Sequence, residues 1–107
     1  MKLSEAIRAG SKSTSQCRGG LIRKRLGEEY ETCALGAALV GNMPPELAWR
    51  NTDKSGTLQR SFPQLMSPPP VGCLAPGADL WGTIVAWNDY DGLPREETAL
   101  RLEQVGL

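Results

Sequence analysis

The apolar residues of this chain fall into short segments separated by glycine and proline. The segment from Cys33 to Gly41 has no polar side chain, which predicts a helix that is buried on all sides. Further along, Leu80, Ile84 and Trp87 recur at helical intervals and indicate the apolar face of a helix over about residues 79–88. We expect these two helices to pack together at the centre of the core.

Weaker patterns predict further helical segments. Ser4 is a candidate N-cap for a helix over about residues 4–12, with Ile7 facing inward. Residues 44–49 begin with two prolines and an acid, which is typical of the first turn of a short helix. Residues 94–106 predict a final helix that pairs with its predecessor as an αα-hairpin, and its inward positions are Thr98, Leu102 and Val105.

Two other regions have no helical pattern. Residues 18–32 combine apolar positions with a turn near Gly27, which favours a short β-hairpin, and residues 11–15 resemble a loop. Residues 51–77 are rich in proline and glycine and predict a long irregular connection. The predicted fold class is therefore mainly α (α+β), a single domain over residues 1–107 with about four short helices, a β-hairpin and that irregular connection.

Length and composition narrow the range of functions. With 107 residues, of which 40% are hydrophobic, the chain has enough apolar material for one modest core. The chain has no histidine, so an imidazole base, a Ser-His-Asp triad and a histidine metal ligand are all excluded. It also contains neither a phosphate-binding loop nor a nucleophile elbow. We therefore expect a protein that is not an enzyme and that needs no cofactor.

The three cysteines give little support to a metal site. Cys17, Cys33 and Cys73 are separated by 16 and 40 positions, and none of them belongs to a paired zinc knuckle. Because no signal peptide or run of 18 apolar residues is present, we expect free thiols, a cytoplasmic location and no membrane partner. Cys33 then serves as core filling, and metal binding through cysteine remains the less favoured alternative.

Basic residues are concentrated at one end of the chain and acidic residues at the other. Residues 1–25 carry a net charge of +6 and residues 79–107 a net charge of −4, although the whole chain is neutral. These ends either attract one another or simply form solvated surfaces, or else the basic end binds nucleic acid. No aromatic residue precedes Tyr30 to stack on bases, so nucleic acid is the less favoured partner. The basic side chains that would form this surface are Arg18, Arg23, Lys24 and Arg25.

The segment Asn88-Asp89-Tyr90-Asp91-Gly92 resembles part of a calcium loop, but its register is wrong. Aligning Gly92 with the invariant glycine of such a loop places Trp87 at the first ligand position, so we expect an Asx-type turn instead. The following helix opens with Glu96 and Glu97, whose carboxylates would repel DNA phosphates. Sequence-specific DNA binding by a helix-turn-helix is therefore disfavoured.

Several of these features together resemble a family of small uncharacterised bacterial and bacteriophage proteins. The resemblance rests on the N-terminal Leu3-Ser4-Glu5-Ala6-Ile7, on Gln16 followed by glycines, on Cys33-Ala34-Leu35-Gly36-Ala37-Ala38, on Phe62-Pro63, on the stretch from Ile84 to Asn88-Asp89 and on Arg95-Glu96-Glu97. It implies one compact domain and an origin in a phage or mobile element, and it implies no particular activity. Where similar proteins often have Cys-Pro-x-Cys, this chain has Cys73-Leu74-Ala75-Pro76.

The sequence therefore favours a cytoplasmic accessory protein that binds another protein. The alternative is a small regulatory module that binds nucleic acid through its basic N-terminal face or a metal through cysteine. The expected interaction surface joins the basic residues to the Asn-Asp turn and comprises Arg18, Arg23, Lys24, Arg25, Asn88 and Asp89.

Overall fold

Helices account for most of the regular structure. The computed structural model describes residues 1–27, 29–70 and 78–107. In these ranges the elements are α1 (Leu3–Ser11), β1 (Ser15–Gln16), β2 (Ile22–Lys24), β3 (Tyr30–Thr32), α2 (Ala34–Val40), α3 (Pro45–Arg50), α4 (Lys54–Ser61), a 3₁₀ turn (Pro63–Met66), α5 (Leu80–Asp89) and α6 (Arg95–Gln104). The predicted mainly α fold class with a small sheet is confirmed, although the described residues form six α-helices rather than about four.

Helix α2 lies at the centre of the core, as its composition predicts. All seven of its residues are buried. Helix α1 crosses it at very short range, because a Cβ atom on Gly10 would overlap the backbone of Ala37 and one on Gly41 would overlap the backbone of Ala6. Helix α5 also packs against α2, so the predicted central pair of helices is present. Small residues let three helices share one compact core.

The sheet contains the predicted hairpin and one additional strand. Strands β2 and β3 are antiparallel, with Ile22 opposite Thr32. Strand β1 pairs with β3 in parallel, with Gln16 opposite Thr32, so the strand order is β1-β3-β2. Ser15 belongs to this extra strand, although residues 11–15 were expected to be a loop. Its two polar residues show no alternation of apolar and polar positions that could identify a strand.

The prediction of an irregular connection over residues 51–77 is wrong for residues 54–66. Helix α4 begins after Asp53, whose Oδ1 accepts a hydrogen bond from Gly56 N at 3.2 Å as an N-cap. Leu58 of α4 and Leu65 of the 3₁₀ turn are both fully buried. These two side chains anchor the segment to the core. Residues 71–77 of that connection, and Glu28 of the predicted hairpin turn, lie outside the described residues.

Helix α6 packs chiefly against α1 and makes only a minor contact with α5, so the predicted αα-hairpin is wrong as the main pairing.

Ser4 is not the N-cap of α1 as expected, because α1 already begins at Leu3. Both the backbone N and the Oγ of Ser4 donate to Leu107 O at 3.1 Å. Arg8 of α1 pairs with Glu96 at 2.9 Å and also with Glu103, both on α6. The basic and acidic ends of the chain thus meet through α1 and α6.

None of the helices in the described ranges is long and apolar enough to cross a bilayer.

Candidate functional site

The side chain of Asn88 joins three elements at the end of the sheet. Cys17 N donates to Thr32 O at 2.9 Å, so the parallel ladder between β1 and β3 continues one residue past β1. The next bond of such a ladder would run from Ala34 N to Cys17 O. The amide of Asn88 takes this place, since its Oδ1 accepts from Ala34 N at 3.2 Å and its Nδ2 donates to Cys17 O at 2.9 Å.

Two neighbouring side chains extend this arrangement. Gln16 Nε2 donates to Asn88 Oδ1 at 3.0 Å and to Leu93 O at 2.8 Å. Asp89 Oδ1 accepts from Gly19 N at 3.0 Å and from Asn88 Nδ2 at 2.9 Å. The prediction that Asn88 and Asp89 stabilise their own turn is therefore wrong. Both side chains bond to distant segments and fix the loop between β1 and β2.

Arg95 is a buried cation that the sequence does not reveal. Its Nη1 donates to Thr14 Oγ1 at 2.8 Å and to Thr32 Oγ1 at 2.9 Å, and its Nη2 donates to Thr14 O at 2.8 Å. The side chain forms no ion pair with any residue that the structure describes. Burial lowers the pKa of the Arg95 guanidinium. In the described ranges its hydrogen-bond acceptors are neutral hydroxyl and carbonyl oxygens. The Arg95 side chain thereby links α6 to β3 and to the segment after α1.

A cleft of about 250 Å³ opens beside this polar arrangement, between the β1–β2 loop, the start of α2, and α5. Its floor is apolar and is formed by Leu21, Cys33, Ala34, Leu35, Trp81, Ile84 and Val85. Its rim is polar and is formed by Gly19, Gly20, Ser55 and Asp89, and the buried side chain of Asn88 also lines the cleft. We call this feature the α5 cleft.

The α5 cleft brings together part of the interaction surface predicted from the sequence. Asn88 and Asp89 both line it. The Arg23 guanidinium lies beside Gly19 and Gly20 and donates from Nη2 to Arg18 O at 2.5 Å, and the Arg18 guanidinium lies against Gly92, just after the Asn-Asp turn. Neither arginine makes an ion pair with a described residue.

The other two predicted residues point elsewhere. Lys24 Nζ lies 3.7 Å from a carboxylate oxygen of Glu46 on α3, and 5.7 Å from the centre of the Tyr30 ring. Arg25 Nε lies 3.4 Å from Glu31 Oε1 on the neighbouring strand. Both positive charges are therefore partly neutralised within the fold. The basic hairpin does not present four free cations on one surface.

The two described cysteines are buried thiols. Cys33 Sγ accepts a hydrogen bond from Gly36 N at 3.4 Å, and burial raises the pKa of this thiol to about 11. Burial also raises the pKa of Cys17, although the charge of Arg23 opposes that shift. Within the described ranges no three or more His, Cys, Asp or Glu side chains converge as a set of metal ligands. Cys73 lies outside these ranges, so the three-cysteine site weighed from the sequence involves a residue not described.

Several residues of the cleft were not identified from the sequence. Ser55 is an isolated polar residue within the segment that the sequence predicts to be an irregular connection. Trp81 lies within the helix predicted over about residues 79–88, where its type alone indicates only an apolar position. The sequence feature that could have indicated the cleft is the pair Gly19-Gly20, because consecutive glycines allow close approach of another backbone.

Comparisons of the chain with protein-family models, with curated proteins and with solved structures find no match.

Proposed function

We propose that this protein is a non-enzymatic accessory protein that binds another protein by accepting one large apolar side chain in the α5 cleft. The observation that carries the proposal is the combination of an apolar floor with a polar, backbone-edged rim. Interfaces concentrate their binding energy in such places, where a buried anchor is surrounded by polar contacts that exclude water.

The size of the cleft supports a side chain rather than a cofactor. Pockets for drug-sized ligands and cofactors usually span about 300–1,000 Å³, whereas an apolar cavity of about 150 Å³ already holds benzene. At about 250 Å³ the α5 cleft suits one aromatic ring or a large aliphatic side chain. Gly19 and Gly20 add no side chains of their own to the rim, so beside the Arg23 guanidinium the main chain of a partner segment can approach closely.

The chemistry of the rim supports binding over catalysis. Asp89 Oδ1 already accepts two hydrogen bonds from the fold, and the raised pKa of Cys33 keeps its thiol protonated at neutral pH. The chain also has no histidine that could activate a nucleophile. The resemblance to bacterial and bacteriophage proteins supports a phage or mobile-element origin. The proposed location is the cytoplasm.

Small aromatic probes test the cleft directly. N-acetyl-phenylalaninamide has about 15 non-hydrogen atoms, and at about 0.3 kcal/mol per atom its dissociation constant should be about 0.5 mM. We expect amide chemical-shift changes in NMR spectra at Gly19, Leu21 and Asp89 and at the indole of Trp81. N-acetyl-alaninamide should cause much smaller changes.

Two exposed serines of α4 provide matched variants. Ser55 lies on the rim of the cleft and Ser61 does not, and both are exposed. Ser55→Trp should fill the cleft and abolish probe binding, while Ser61→Trp should leave it unchanged. Peptides selected from a random displayed library should contain one essential aromatic or large aliphatic position and should also fail to bind Ser55→Trp. Probe or peptide binding that is equal in both variants would contradict the proposal.

A further inference from the structure

Strands β1 and β3 place Cys17 and Cys33 opposite each other. Gln16 is paired with Thr32 in the parallel ladder, and the bond from Cys17 N to Thr32 O extends that register by one residue. Cys33 has extended backbone angles, as a continuing strand requires. Neighbouring strands lie about 4.8 Å apart, and disulfide-bonded cysteines have Cα atoms separated by about 4.4–6.8 Å. The regular ladder ends here, because the Asn88 amide takes the place of its next bond, but the register up to this point sets the two backbones side by side at a spacing that a disulfide can span.

The two thiols also lie on the same side of the sheet. Side chains alternate along a strand, and Gln16 and Thr32 both face Arg95. The cysteines that follow them share the opposite face. Cys17 Sγ lies 3.7 Å from Gly20 O, and Cys33 Sγ lies 3.4 Å from Gly36 N.

Gly36 and the β1–β2 loop are themselves in contact. A Cβ atom on Gly36 would overlap the carbonyl of Leu21, the residue that follows Gly20. The partner atoms of the two sulfurs thus lie on segments that pack directly against each other. Both cysteines therefore lie beside the β1–β2 loop, on neighbouring strand ends.

We propose that Cys17 and Cys33 form a dithiol modification site, which a low-molecular-weight disulfide such as glutathione disulfide converts into an internal disulfide. The Cys17 thiolate attacks one sulfur of the oxidant, forms a mixed disulfide and releases one glutathione thiolate. The Cys33 thiolate then attacks the Cys17 sulfur and releases the second glutathione thiolate. The two protein thiols lose two protons and two electrons, and the oxidant becomes two molecules of glutathione.

The surroundings determine the order of the two attacks. Cys17 is 7% exposed beneath the glycine loop, and the positive charges of Arg23 and Arg95 favour its thiolate. Cys33 is almost equally buried, at 6% exposure, but among its described neighbours only backbone hydrogen bonds favour its thiolate. Because burial disfavours both thiolates, oxidation should be slow in the folded protein and should require movement of the loop over residues 18–20.

The test uses a Cys73→Ser variant, so that the third cysteine cannot pair with either thiol. After incubation with glutathione disulfide, trypsin cleaves between the two cysteines at Arg18, Arg23, Lys24 and Arg25. Mass spectrometry without reduction should identify residues 13–18 linked to residues 26–50. Cys17→Ser and Cys33→Ser, each in the same background, should lack this link and carry at most a glutathione adduct.

Folded and unfolded protein must be compared, because an unfolded chain can also form the bond. We expect the link to form without denaturant, the helical circular dichroism signal to persist, and the oxidised protein to unfold at a higher urea concentration than the reduced protein. A reductant should reverse that difference. Glutathione adducts without a link, a link that forms only in urea, or loss of the helical signal on oxidation would each overturn the proposal.

Discussion

Replacing Asn88 with alanine tests whether its amide holds the end of the sheet together. Asn88 is 1% exposed, and its side chain bonds to Cys17 O and Ala34 N, two buried backbone groups. Leaving a buried backbone group without a partner costs about 1–3 kcal/mol, so the two together cost about 2–6 kcal/mol. The bonds from Asn88 to Gln16 and Asp89 add less, since those two side chains keep other partners.

The expected loss is large compared with the stability of a small domain, which is usually about 5–15 kcal/mol. Urea unfolding followed by circular dichroism measures it. With a slope of about 1.5 kcal/mol per molar urea, the midpoint for Asn88→Ala should fall by about 1–4 M.

Asn51 provides the matched control for the same chemical change. Its side chain also makes two hydrogen bonds, to Thr57 Oγ1 at 2.9 Å and from Asp53 N at 2.7 Å, but at the partly exposed start of α4. Water can replace these partners, so Asn51→Ala should cost less than about 1 kcal/mol. If Asn88→Ala lowers the urea midpoint no more than Asn51→Ala does, the bridging role of Asn88 is refuted.

Three further predictions concern the core, the buried thiol and the basic residues. Gly10→Ala should destabilise the fold by about 1–3 kcal/mol or more, because the added Cβ atom overlaps the backbone of α2. The control is Gly20→Ala, whose Cβ atom would contact only the Arg23 side chain at 3.6 Å. Thermal unfolding should show little effect for this control. The pKa of Cys33 rises from 9.0 to about 11 on folding, so its contribution to stability is complete below pH 9.0 and is lost as the pH rises towards 11. Two pKa units correspond to about 2.7 kcal/mol, and urea unfolding between these pH values should show a smaller decline for Cys33→Ser than for the native protein. Fluorescence anisotropy at physiological salt should give dissociation constants weaker than about 10⁻⁶ M for labelled single- and double-stranded DNA. If DNA binds more tightly than this, and the binding disappears in the double variant Arg23→Glu with Arg25→Glu, a nucleic-acid partner would be favoured instead.

The sequence predicts elements whose own residues carry a periodic pattern, and it fails where a segment is held by distant partners. Helix α5 is predicted because its apolar residues recur at helical spacing, and α2 because its segment is continuously apolar. Helix α4 was missed because the surrounding prolines and glycines dominate the composition, and only Leu58 is buried on it. The residue that could have indicated this helix is Asp53, since aspartate is a preferred N-cap residue. Strand β1 contains only Ser15 and Gln16, and its pairing depends on a strand that follows much later.

The candidate site was harder to predict, for the same physical reason. Asn88 and Asp89 stand out as turn residues, but their distant partners lie 54 to 72 positions away in sequence. Arg95 looked like an ordinary charged residue of a helix start, and nothing near it in sequence indicates that hydroxyl and carbonyl oxygens around Thr14 surround it. A cleft whose lining spans residues 19–89 arises only when these elements have packed.

The packing of α1 against α6 also determines how the chain must fold. Helical proteins usually fold within microseconds to milliseconds because most of their contacts are local. Here Ser4 bonds to Leu107, 103 positions away, and Arg95 bonds to Thr14 across 81 positions. Closing such long loops costs entropy before any contact is gained, so stopped-flow refolding should take milliseconds to seconds. During synthesis on the ribosome, Leu3 and Ile7 remain without their complete set of neighbours until α6 has emerged.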